Sequence, residues 1–195
     1  MSADRLARQL AFVVEMDRLK GVLRQTSLID GSRRENSAEH SWHLAMAALA
    51  LGEHAPAGTD LLRALGMVLV HDIVEIDAGD TFCYDDGAHL DKEDRETRAA
   101  ERIFGLLPPD QAAEMRALWD EFEAGETPDA RFAVALDRLQ PLVVNINSGG
   151  GSWKLHGITR AQILRRMAPI QEGAPGVWPW VERKIEEACE RGYVV

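Results

Sequence analysis

Apolar residues recur at helical spacing along almost the whole of this chain, and no segment alternates as a strand would. Leu6, Leu10, Val13 and Val14 give the first helix, over residues 4–21. Gly31 and its polar neighbours interrupt the pattern. Asn36 or Ser37 caps the next helix, and Glu39 is spaced to reach back as in a capping box. That helix carries Trp42, Ala45, Met46 and Leu49. After a turn at Pro56-Ala57-Gly58, Thr59 or Asp60 caps a helix holding Leu61, Leu62, Leu65, Val68, Leu69 and Ile73, ended by Gly79. Residues 80–92 read as loop and Asp91 to Phe104 as a charged, solvent-facing helix. Further helices start at Pro108-Pro109-Asp110, at Pro128-Asp129 and at Thr159, and the last runs from about Trp178 to Arg191. Pro141 is placed to kink its helix, and Gly149-Gly150-Gly151 reads as a flexible turn. The expected fold is all-α: a single domain over 1–195, with a core at about 15–145 and a C-terminal helical extension at about 150–195.

The composition narrows the function classes. A chain of 195 residues with 46% hydrophobic and 28% charged residues has enough apolar surface to bury a core. Its net charge of -10 repels nucleic-acid backbones and anionic membranes. The compact basic spot Arg33-Arg34 is too small to hold a polymer. No stretch approaches the roughly 18 apolar residues that span a bilayer. Cys83 and Cys189 have no C-x-x-C spacing and form no disulfide framework, so a reducing cytoplasm is the expected compartment.

Chemistry concentrates at four side chains. His71-Asp72 closes the apolar run Leu65 to Val70, and Asp137 lies between Leu136 and Leu139. A carboxylate on a buried helix is costly unless a cation or hydrogen-bond donors compensate it. Arg138 or Arg131 is one candidate partner for Asp137; a metal ion is another. Together with His40, these residues offer two imidazoles and two carboxylates to one transition-metal ion, if the fold gathers them. Glu75 lies one turn after His71 and Asp80 follows Gly79, so ionisable groups crowd one helix end.

The order His40, His71-Asp72, Asp137 on helices resembles the HD superfamily of metal-dependent phosphohydrolases. Glu35-Asn36-Ser37-Ala38-Glu39-His40-Ser41, His71-Asp72-Ile73-Val74-Glu75 with Gly79-Asp80, and Leu136-Asp137-Arg138-Leu139 resemble the 5'-deoxynucleotidase branch, over about residues 15 to 145. The resemblance implies one divalent ion (Mn, Co, Fe, Ni or Zn, with Mg also admitted) held by His40, His71, Asp72 and Asp137. It implies Glu75 assisting proton transfer and Asp80 orienting that group or water. Arg24 is the implied counterpart of a phosphate-gripping Arg. Gln25 stands where that branch has a Trp beside the sugar, which puts deoxy selectivity in doubt. The implied substrate is a small phosphate ester, a (deoxy)nucleoside monophosphate losing its 5'-phosphate, and relatives that pair imply a homodimer. Two alternatives stay open: another small phosphorylated metabolite, favoured by Gln25 and the C-terminal part, or a non-enzymatic module with a structural metal.

The remaining polar features read more plainly. Glu39 serves as a cap or as support for His40. His43 reads as a helix-face histidine. His89 is a candidate ligand for a second metal, and one His in that interval favours a mononuclear site. Gly149 to Lys154 lacks the P-loop pattern and a preceding strand. Trp178-Pro179-Trp180 reads as packing or an oligomer contact.

Overall fold

A computed structural model describes residues 3–84 and 91–195. Helix α1 (Ala3–Met16) runs into a 3-10 turn (Asp17–Gly21). A hairpin follows, β1 (Leu23–Ser27) antiparallel to β2 (Arg34–Asn36), with Leu23 opposite Asn36 and Ser27 opposite Arg34. The other described elements are helical: α2 (Ser37–Leu51), a 3-10 turn (Gly52–His54), α3 (Leu61–Val70), a 3-10 segment (His71–Val74), α4 (Glu75–Ala78), α5 (Lys92–Phe104), α6 (Pro109–Ala124), α7 (Pro128–Asn147), α8 (Gly151–His156), α9 (Arg160–Met167), α10 (Ile170–Gly173) and α11 (Trp178–Glu190). The class is all-α, as the periodicity predicts.

The helix starts follow local chemistry. Asn36 accepts from the Glu39 backbone N–H while the Glu39 side chain accepts from the Asn36 N–H, closing the capping box. Asp60 caps α3 through the Leu62 and Arg63 N–H groups. Thr127 caps α7, and Thr159 closes a second capping box with Gln162.

Two hydrophobic cores share one wall. The larger joins Leu44, Met67, Val68, Phe132, Leu136 and Leu142 to Trp153, Ile163, Ile170, Val181 and Ile185, so the C-terminal helices pack onto α2, α3 and α7. The smaller joins Phe12, Val70, Ile73 and Val74 to Ala100, Ile103, Phe104 and Trp119. Helix α3 and the 3-10 segment behind it therefore run between the cores, and His71-Asp72 sits where one passes into the other.

Three expectations need correction. The hairpin at Leu23–Asn36 carries no alternating apolar signal. Context holds it: Leu28 N–H donates to Arg33 O at 2.9 Å and Ser37 N–H to Val22 O at 3.0 Å. Helix α5 is not solvent-facing all round, because Glu96, Ala99, Ala100, Ile103 and Phe104 are buried against α1, α4 and α6. The glycine-rich segment turns through Gly149 (φ 71°) and Gly150 (φ 103°), but Gly151 already starts α8, which buries Trp153. Helix α7 continues past Pro141 to Asn147. Trp178 and Trp180 pack against the larger core. No described helix is long and apolar enough to cross a membrane.

Candidate active site

His40 is held in the first turn of α2 by the capping box, with no exposed surface. His71 and Asp72 occupy the tightened turn after α3. Asp137 projects from the middle of α7, which packs on both α2 and α3. These placements converge. His40 Nε2 is 3.0 Å from Asp137 Oδ1 and 4.0 Å from Asp72 Oδ2. His71 Nε2 is 2.9 Å from Asp72 Oδ1 and 3.8 Å from Asp137 Oδ1. Ligand atoms of His40, His71 and Asp72 all lie within 4.8 Å of one another.

The surrounding hydrogen bonds fix how the rings are presented. His71 Nδ1 donates to Val68 O at 3.0 Å, which turns Nε2 inward. Gln140 Nε2 donates to the Glu35 carboxylate at 2.8 Å, so its Oε1 is left to accept from His40 Nδ1 at 3.1 Å. The His40 Nε2 lone pair therefore faces Asp137 Oδ1. His71 Nε2 is buried without an aligned hydrogen bond. Lone pairs and carboxylate oxygens at these separations repel unless a cation lies among them, so this donor set fits a divalent transition metal. The orientation of each ring through its other nitrogen is the usual support for a metal ligand.

The electrostatics agree. Burial, with help from the Arg24 charge, pushes the His40 pKa down to about 4, leaving the neutral imidazole a metal takes. Burial also disfavours charge on His71, yet the Asp72 and Asp137 carboxylates outweigh it and hold that pKa up to about 9. Burial would raise the two aspartates. The His71 and Arg24 charges instead hold Asp72 below its ordinary range, and the Arg138 charge does the same for Asp137. The pocket thus carries a field that favours positive charge at its centre.

Glu75 is buried and accepts from Ser37 Oγ at 2.6 Å. Burial and the Asp72 charge push its pKa well up. Burial raises Asp80 too, with Arg24 opposing. Gly79 has φ 76° and turns the chain so that Asp80 follows directly onto the cavity wall. Arg24, Gln25, Glu75 and Asp80 all line a cavity of about 380 Å³ that also exposes His71, Asp72 and Asp137. Arg24 hydrogen-bonds Asp72 at 2.9 Å.

Several predicted features fall elsewhere. Glu39 is taken up by its cap and by Arg33 at 2.8 Å. His43 Nδ1 accepts from Gln140 at 3.1 Å. Of the two candidate partners of Asp137, Arg138 bonds it, through Oδ2, while Arg131 lies 3.6 Å from Glu172. His89 lies outside the described residues. The structure adds residues that sequence reasoning did not assign. Gln140 lies three residues past Asp137, a spacing that places both on one helix face. Glu35, pushed by burial up to about 7, had no signal beyond its place in a motif. Arg166 of α9 had none.

Comparisons with known proteins identify the family. A family model described as HD domain matches residues 16–178. The chain belongs to the HD-domain family. Curated relatives named 5'-deoxynucleotidase HDDC2 are 29% identical over 109 residues in Danio rerio and 31% identical over 109 residues in Xenopus laevis, covering 56% of this chain and 53% of each relative. The chain thus spans about half the length of those relatives. A crystal structure from Magnetospirillum magnetotacticum, described as a predicted metal-dependent phosphohydrolase, is 55% identical with a TM-score of 0.95, covering 98% of this chain and 96% of that one. A conserved hypothetical protein from Pyrococcus furiosus shares the fold at 22% identity, with a TM-score of 0.59 over 84% of this chain and 97% of its own.

Proposed function

We propose that this chain is a metal-dependent phosphomonoesterase that removes the 5'-phosphate of (deoxy)nucleoside monophosphates. The observation that carries the reading is the clustering of ligand atoms of His40, His71 and Asp72 within 4.8 Å of one another, with Asp137 Oδ1 3.0 Å from His40 Nε2, beside Glu75 and Asp80 on a cavity wall. His40, His71, Asp72 and Asp137 would hold one divalent ion of the Mn, Co, Fe, Ni or Zn type, or Mg. When bound, such an ion supplies Lewis acidity, acidifying water and offsetting phosphoryl charge.

The chain's own groups do the rest. Gln140 and the Val68 carbonyl hold the two imidazoles at a fixed angle. Glu75, oriented by Ser37, moves a proton between the attacking water and the leaving 5'-oxygen. Asp80 orients that carboxyl group or the water. Arg24 keeps Asp72 in place from β1, and Gln25 lines the wall where the substrate sits. A closed structural metal site fills every position with protein ligands; a cavity with two further acids beside the cluster favours a working site. Gln25, which is too small and polar to form an aromatic wall, favours the second reading, a different small phosphate ester.

The test is phosphate release from a panel of nucleotides after chelation and re-addition of Mn, Co or Mg. Turnover of nucleoside monophosphates with at least one metal supports the first reading. Turnover of other phosphate esters alone supports the second. A chain that merely melts lower when chelated, and turns over nothing, is a structural metal protein. Cys83 and Cys189 are both free, which supports a cytoplasmic setting. The exposed Leu10, Val13 and Val14 of α1 and Trp42 and Met46 of α2 support a homodimer, which light scattering would weigh directly.

A further inference from the structure

We propose that Glu35 is a positioning residue of the metal site: its carboxylate fixes which way the Gln140 amide points, and that amide fixes which nitrogen of His40 turns a lone pair to the cluster. The assignment rests on the metal site of the reading above. Glu35 belongs to β2 and is 4% exposed. A carboxylate buried so deeply is costly unless its oxygens have partners. Oε1 accepts from Gln140 Nε2 at 2.8 Å. Oε2 lies 3.5 Å from Arg24 Nε and 3.7 Å from His40 Nδ1, so its charge reaches both sides of the cluster.

Donor and acceptor chemistry leaves one arrangement. An ionised carboxylate only accepts, whereas an amide has one donating end and one accepting end. Gln140 therefore turns Nε2 to Glu35 and Oε1 to His40 Nδ1, 3.1 Å away. That oxygen only accepts, so Nδ1 carries the His40 proton. His40 Nε2 is left as a lone pair 3.0 Å from Asp137 Oδ1. The second Gln140 amide proton points to His43 Nδ1 at 3.1 Å, but an imidazole nitrogen donates or accepts according to its tautomer. Glu35 is thus the member of the relay whose role cannot reverse. Without it the amide can rotate, His43 can change tautomer with it, and the His40 proton can move to Nε2, where it blocks a metal ion.

Proton–nitrogen NMR on the metal-free chain at pH 8 reads the tautomer, with His40→Asn identifying the ring, and Mn affinity is measured in parallel. The wild type should hold Nδ1–H. Glu35→Gln has the same shape, but two facing amides pair in either orientation. Its His40 nitrogen shifts should fall between those of the two tautomers, and Mn affinity should drop about ten- to a hundredfold. Gln140→Leu cuts the relay from its other side and should move the shifts in the same direction. Glu35→Gln combined with Gln140→Glu places the carboxylate directly on His40 Nδ1. That exchange should restore Nδ1–H and most of the affinity, which a loss through packing alone would not do. The assignment is overturned if the wild type carries Nε2–H, if Glu35→Gln keeps Nδ1–H alone or full Mn affinity, or if the exchange fails to restore both. Turnover of phosphate esters by the Mn-loaded wild type reports on the activity separately. A wild type that passes these tests and turns over no ester would sink the hydrolase and leave the positioning role standing.

Discussion

Asp137 shows how one side chain divides its work. One oxygen faces the imidazoles of His40 and His71, and the other meets Arg138. Asp137→Ala removes a proposed ligand and leaves Arg138 buried without its carboxylate, so bound metal should be lost and plasma emission should find little after gel filtration. Glu75→Ala removes a group beside the cluster but outside the proposed ligand set. It should keep the metal and lose about 10²–10⁴ of the turnover, the range for general acid–base catalysis. Wild-type rates in that variant would end the assigned role. Gln140 touches no metal in this scheme, yet it orients His40 from behind. Gln140→Leu should therefore weaken metal binding by about ten- to a hundredfold without abolishing it, read by competition with a coloured chelator. At this scale the sequence was informative wherever a polar group broke an apolar run: His71-Asp72 and Asp137 stand out for that reason. Glu35 and Arg166 do not, because each lies in an ordinary polar stretch and gains its meaning only when distant elements close on it.

Among the elements, capped amphipathic helices were legible and context-made ones were not. The capping boxes at Asn36 and Thr159 are local chemistry, written in adjacent residues. The hairpin is set by bonds across its own loop and base, and α5 hides a narrow stripe of Ala99, Ala100 and Ile103 among charges. Helix α8 follows a glycine turn that looks like linker until Trp153 is seen to be buried. The element scale also gives a test. Asn36→Ala removes the bond that starts α2 and should cost about 1 kcal/mol of stability. Because His40 lies in that first turn, metal affinity should fall too. An unchanged melting temperature in urea or heat would mean that packing, rather than the cap, fixes the turn. Gly173 makes a second case. A Cβ there would lie 2.0 Å from Arg131 O, so α10 approaches α7 as only glycine allows. Gly173→Ala should destabilise by about 1–3 kcal/mol through overpacking.

Across the whole molecule, surface ion pairs clasp the helices that enclose the smaller core, and acid should loosen them. Arg102 of α5 binds both Glu15 of α1 and Asp77 of α4, while Arg18 lies 2.6 Å from Glu15. The Arg102 bond, reinforced by Arg18, holds the Glu15 pKa below its ordinary 4.5. A carboxylate whose folded pKa is depressed contributes stability that is fully present above its unfolded value and is lost as pH falls through the folded one. The contribution should therefore be intact at pH 6 and fade below about pH 4.5. Its size is small, about 0.2–1 kcal/mol for an exposed pair, and added salt should shrink it. Arg102→Ala returns Glu15 toward ordinary behaviour. The variant should melt lower than the wild type at pH 6, and the gap should narrow as pH falls through the folded pKa of Glu15, because protonation then removes the charge in both chains. A gap that stays constant across that range would show that Arg102 acts by packing its stem between α1 and α4 and not through its charge.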